Sequence, residues 1–140
     1  MQILHKLNRW ANSHTNILFD VFRVGFGVFL FIKGIQFSTH SEYLVDLVAP
    51  NMTTMGTMFI VHYVAMAHLC GGLFIVMGML TRLTILIQIP ILLGALIINF
   101  TGEMVLENFI QALAAVLLAT FFLVYGSGKH SVDYNLKLNM

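Results

Sequence analysis

The chain has 140 residues with 7 Lys or Arg against 6 Asp or Glu, and a formal net charge of +1 gives no basic surface for nucleic acid. Hydrophobic residues make up 59% and charged residues only 9%, where soluble domains carry about 25% charged residues. With a mean hydropathy of +0.88, this composition excludes a soluble enzyme or soluble binding domain.

Four apolar runs, 17–35, 57–80, 83–100 and 104–125, each approach the ~20 residues that carry a helix across ~30 Å of hydrocarbon. Lipid offers no partner to free backbone groups, and the period-2 pattern of a barrel is absent, so the runs are helices. The expected fold is all-α: one domain, 1–140, a polytopic bundle of four transmembrane helices.

Ahead of the first run, Ile3, Leu4, Leu7 and Trp10 share one helical face while Lys6 and Arg9 fall elsewhere. That pattern suits either a short helix on the membrane interface or a loosely held tail. Asp20 and Arg23 stand three apart near the start of the first run, a spacing for a structural ion pair along one face. The run is no cleavable signal, because it carries both charges and no small-residue cleavage site follows. Lys33, Gln36 and His40 recur at its far end.

The loop 36–56, of about 20 residues, is long enough to be more than a connector. Within it Ser41-Glu42-Tyr43-Leu44-Val45-Asp46-Leu47-Val48 reads as a short amphipathic helix over the mouth of the bundle, begun by Ser41 and closed by Pro50. The second run holds His62 and His68, and Ala67 and Gly71 have the spacing that lets helices approach closely. Thr81-Arg82 forms the connection to the third run, in which Pro90 is expected to kink the helix. Asn99 closes that run and Thr101-Gly102-Glu103 turns the chain. Glu103, Glu107 and Gln111 then line one face of the fourth helix. The tail 126–133 resembles a phosphate loop only superficially, lacking the strand context and the Lys-Ser/Thr ending, and reads as a helix stop.

Lys6, Arg9, Arg82, Lys129 and Lys137 all fall on one side of this topology, opposite Glu42, Asp46 and Glu103. The positive-inside rule therefore places both termini in the cytoplasm.

Gly71-Gly72-Leu73-Phe74-Ile75-Val76-Met77-Gly78-Met79-Leu80-Thr81-Arg82-Leu83 resembles the glycine-rich hairpin of the DoxX-like small membrane proteins. Gly126-Ser127-Gly128-Lys129-His130-Ser131-Val132-Asp133 is similar to that family's G-x-G-x-x-S-x-D ending, and Lys33-Gly34-Ile35-Gln36 to the end of its first helix. The resemblance runs over essentially the whole chain. It implies a four-helix protein of the bacterial cytoplasmic (inner) membrane, working as a subunit of quinone-linked oxidoreductases or as a partner in redox complexes. One departure is His68, which stands where members often carry an acidic residue.

Rise per residue puts His62 roughly 5–8 Å, Gln111 about 10 Å and His68 about 15 Å below the outer boundary. Lys33, Gln36, His62, His68, Asn99, Glu103, Glu107 and Gln111 thus form a candidate ligand or proton pocket in the outer half, with Lys33–Glu107 as its expected ion pair. A quinone site needs an apolar slot, a donor for one carbonyl and a group that exchanges protons, and His62, Glu107, Gln111 and His68 supply these. The alternative is a network that only fixes helix register.

Bis-His haem lacks a second histidine at the right depth on another span, and the carboxylate–His spacing is not diagnostic of a metal. The single cysteine, Cys70, excludes dithiol chemistry within the chain. The expected function is an accessory or anchoring subunit of a larger redox-linked complex, in contact with lipid and other membrane subunits. A quinone-binding subunit with its own pocket and a small-solute transport or binding protein stand as alternatives.

Overall fold

The computed structural model describes residues 17–48, 50, 53–101, 105–128 and 130–135. The segment 3–11, Glu103, Lys129 and Lys137 therefore lie outside the described residues. Among these residues six helices follow in order: α1 (Ile17–Thr39), α2 (Ser41–Val48), α3 (Thr54–Met77), α4 (Thr81–Thr101), α5 (Leu106–Tyr125) and α6 (Val132–Asn135). Among the described residues, α3, α4 and α5 are each long and apolar enough to cross a membrane. The 23 residues of α1 carry Asp20, Arg23 and Lys33 among apolar neighbours.

The boundaries follow local chemistry more than hydropathy. Thr53 caps α3 by accepting a hydrogen bond from the Gly56 N–H at 3.3 Å, so that helix starts ahead of the apolar run. It ends at Met77 because Gly78 turns left-handed (φ 66°), and the Gly78 and Met79 amides bond back to Ile75 and Phe74. The turn is therefore Gly78-Met79-Leu80, whereas Thr81-Arg82, expected as the connection, already begins α4. Pro90 is accommodated inside α4, which continues to Thr101.

Helix α1 packs along α3, α3 on α4, α4 on α5, and α1 meets α5 over a narrow contact. The α1–α3 seam is close because glycines leave room for backbone. A Cβ on Gly72 would lie 2.6 Å from the Phe31 nitrogen, and one on Gly34 would lie 2.6 Å from the Leu69 nitrogen. Gly71, expected with Ala67 to mediate a helix–helix approach, instead makes space for the buried Gln88 side chain, whose amide donates to the Ala67 carbonyl at 2.6 Å. A polar clasp joins α3 to α4 there.

The apolar core joins all four long helices through Phe26 and Leu30, Ile75, Ile85 and Leu92, and Ala115, Ala119 and Phe122. The α1–α5 ring contacts, Phe19 on Phe121 (5.4 Å) and Tyr125 (5.1 Å) and Phe26 on Phe122 (6.5 Å), lie toward the start of α1 and the end of α5. The molecule thus has a hairpin end, carrying the α3–α4 turn and the tail, and an α2 end, where α1 and α5 are not joined this way.

Candidate functional site

In the half of the structure toward α2, the long helices line a partly open cavity of about 490 Å³. That volume lies within the ~300–1,000 Å³ usual for small-molecule sites. Phe29, Lys33 and Phe37 of α1 face it, with Val61, Val64 and His68 of α3. Helix α4 contributes Pro90, Leu92, Ala95, Ile98 and Asn99 among others, and α5 contributes Asn108, Gln111, Ala112 and Ala115. Tyr43, Leu44 and Val48 of α2 form its roof.

Of the candidates read from sequence, the structure brings Lys33, His68, Asn99 and Gln111 to this cavity. His62 does not line it: the side chain is exposed and its Nδ1 bonds the Met58 carbonyl one turn back at 2.8 Å. Six positions from His68 on a helix, it points to another face. Gln36 and Glu107 are likewise exposed and outside the lining, and Glu103 falls outside the described residues.

The expected Lys33–Glu107 pair does not form, since both ion pairs among the described residues belong to Asp20. Glu107 accepts instead from Gln111 Nε2 at 3.2 Å, and Lys33 Nζ lies 5.8 Å from the centroid of the Phe29 ring. An aromatic face contributes roughly 0.5–2 kcal/mol to an ammonium, and no carboxylate among the described residues adds to it.

His68 is the polar centre of the site. It is 4% exposed, and its ring edge meets Phe37 at 5.4 Å. Nδ1 lies 3.0 Å from the Val64 carbonyl, which only accepts, so Nδ1 carries a proton and donates. In the neutral ring Nε2 is then an acceptor, available to the cavity. Two tyrosines were not anticipated. The Tyr43 hydroxyl accepts from Asn108 Nδ2 at 3.0 Å, tying α2 to α5, and Tyr63 reaches across to α4. The available signal for Tyr43 was its place one residue before Leu44 in the amphipathic segment.

A second polar cluster fills the hairpin end, and sequence reading missed most of it. Arg23, 3% exposed, donates to Asp20 at 3.1 Å, to the Ser127 carbonyl, and to the His130 carbonyl at 3.3 Å. Asp20 also meets His130 Nδ1 at 2.7 Å. Asp133 accepts from the Leu80 and Thr81 amides at 2.7 and 3.2 Å, while its own amide donates to the Gly78 carbonyl at 3.0 Å. Arg82 donates to the Val124 carbonyl at 3.1 Å, and Ser131 to that of Gly128 at 2.7 Å.

The tail is therefore more than the helix stop expected from its glycines. It folds back and stitches α1 to the α3–α4 turn. Gly128 has φ 74°, and a Cβ there would sit 2.7 Å from Asp20 Oδ1, so only glycine suits both the turn and the contact.

Long apolar helices closed by buried polar groups at one end and hollowed at the other define a multi-pass membrane protein. A family model for DoxX matches residues 18–103, more than half of the chain, from the second residue of α1 to beyond the end of α4. The chain belongs to the DoxX family. Comparison with curated proteins and with solved structures finds no match.

Proposed function

We propose that the protein is a four-span subunit of the bacterial cytoplasmic membrane, with α1 as the fourth span and the hairpin end in the cytoplasm. The basic flanks Lys6, Arg9, Lys129 and Lys137 support that orientation. The cavity then lies in the outer half, and we read it as the site for the ring of a membrane quinone in a redox-linked complex. The observation that carries this reading is the meeting of Lys33 and the His68 imidazole in one largely apolar chamber.

When bound, a quinone supplies two-electron, two-proton redox chemistry. His68 Nε2 is placed to accept a hydroxyl proton, with the ring held in one orientation by the Val64 carbonyl. The Lys33 ammonium is a donor for a carbonyl oxygen, and Gln111, which donates to Glu107 at 3.2 Å, adds an amide to the cavity wall. Phe29, Leu92 and Ala115 exclude water from the ring. The chain's residues thus bind and exchange protons, and electrons are assigned to a partner subunit.

Titrating a short-chain quinone analogue into the purified protein in neutral nanodiscs tests this. We expect His68→Leu and Gln111→Ala each to weaken binding at least tenfold while the protein still melts cooperatively. Unchanged affinity in both variants, or no binding by the unaltered protein, would overturn the reading.

A further inference from the structure

The charge inside the cavity points beyond a neutral ring. Among the described residues Lys33 is the one charged side chain that lines it, and none of the lining residues is Asp or Glu. The lysine does not reach toward the near end of its helix, as a lysine escaping hydrocarbon would. Its ammonium instead lies against the ring of Phe29, one turn deeper in α1. Glu107, the acid closest in sequence to a lining residue of α5, is exposed and engaged by Gln111 at 3.2 Å. A half-buried ammonium that lines an apolar cavity, with no carboxylate paired to it among the described residues, favours a ligand that brings the negative charge.

A second donor shares this cavity. The Tyr43 hydroxyl accepts from Asn108, which leaves its own proton to donate. The remaining wall is apolar: Phe29, Leu92, Ala112 and Ala115 would surround a hydrocarbon chain.

We propose that the cavity binds an anionic amphiphile, a singly charged oxyanion head on an apolar chain, with Lys33 as its counter-ion and Tyr43 as a second donor. The inference rests on the cavity being a ligand site, and it adds a competitor to the neutral ring proposed above. Two sources carry this chemistry, a free long-chain carboxylate and the phosphate of an anionic phospholipid.

Binding is measured on the whole protein in phosphatidylcholine nanodiscs with oleate, oleyl alcohol and a neutral quinone analogue as separate ligands. A parallel set of nanodiscs containing phosphatidylglycerol reads the phospholipid source by native mass spectrometry. We expect an anionic ligand, oleate or phosphatidylglycerol, to bind at least tenfold tighter than its neutral counterpart and to compete with the analogue. Lys33→Met should abolish that preference and Lys33→Arg should keep it.

Equal binding of anionic and neutral partners by the unaltered protein overturns the proposal without needing any variant. So does a preference that survives Lys33→Met. If the quinone analogue still binds in that case, the charge argument alone has failed. If no ligand binds at all, the cavity is not a ligand site and both readings fall.

Discussion

The two ends of this molecule handle buried polar groups in opposite ways. At the hairpin end Arg23 is surrounded by the Asp20 carboxylate and two tail carbonyls, and Asp133 closes on two amides at the start of α4. At the α2 end Lys33 has a ring face, His68 spends one nitrogen on its own helix, and the amides border open space. A group tied to several elements at once fixes structure, and Arg23 does so even though its Nε, like Arg82 Nε and Nη1, has no partner among the described residues. A group left with an available proton or lone pair is ready for a ligand. The contrast sets an end tied together by its polar groups against the end proposed above to bind a ligand.

The sharpest way to break that division is Arg23→Met. Among the described residues the substitution leaves the largely buried Asp20 with His130, itself exposed, as its remaining ion-pair partner, and it removes the Arg23 bonds from α1 to the tail. Removing one partner of a buried pair costs about 3–5 kcal/mol. We expect a large fall in melting temperature in detergent, and poor recovery of folded protein. A variant that melts with the unaltered protein would mean the cap does not hold α1, and the division of labour would fail.

Asp133→Ala is the intermediate case. It strips two amides at the start of α4 of their acceptor, worth about 1–2 kcal/mol as a helix cap, and leaves the apolar packing intact. Thermal unfolding should show a smaller loss than Arg23→Met, and ligand affinity in the cavity should not change. A loss of affinity without a loss of stability would show the two ends to be coupled.

How far the sequence carried this contrast depends on the range of the interactions. The apolar runs of α3, α4 and α5 were legible because each is a continuous local property, and α2 because one amphipathic turn precedes Pro50. The bounds of α3 moved by three residues at each end, since a Thr53 cap and a left-handed Gly78 decide where that helix starts and stops and hydropathy does not see them.

Depth put His62 and His68 in one pocket; angular position on α3 separated them, because only His68 shares a face with Val61 and Val64. The cap was the hardest to read. Asp20 and His130 are 110 residues apart, and nothing local in 126–133 announces a partner on α1. Short polar tails with glycines commonly end helices, so the local reading was reasonable and incomplete.

The finest test of the division is Tyr43→Phe. Helix α2 rests on α1 and α3 with Leu44 buried, and the Tyr43–Asn108 hydrogen bond adds a tie to α5. Side-chain hydrogen bonds in membrane proteins average roughly 0.6 kcal/mol, so global melting should barely move. A local opening eased by that amount exchanges about threefold faster, which hydrogen exchange resolves where calorimetry does not. Amides of Ser41–Val48 should therefore exchange faster, while those of the α3–α4 turn keep their protection. Faster exchange at Leu80 and Thr81 would mean that loosening the roof reaches the cap, and the two ends would have to be treated as one cooperative unit.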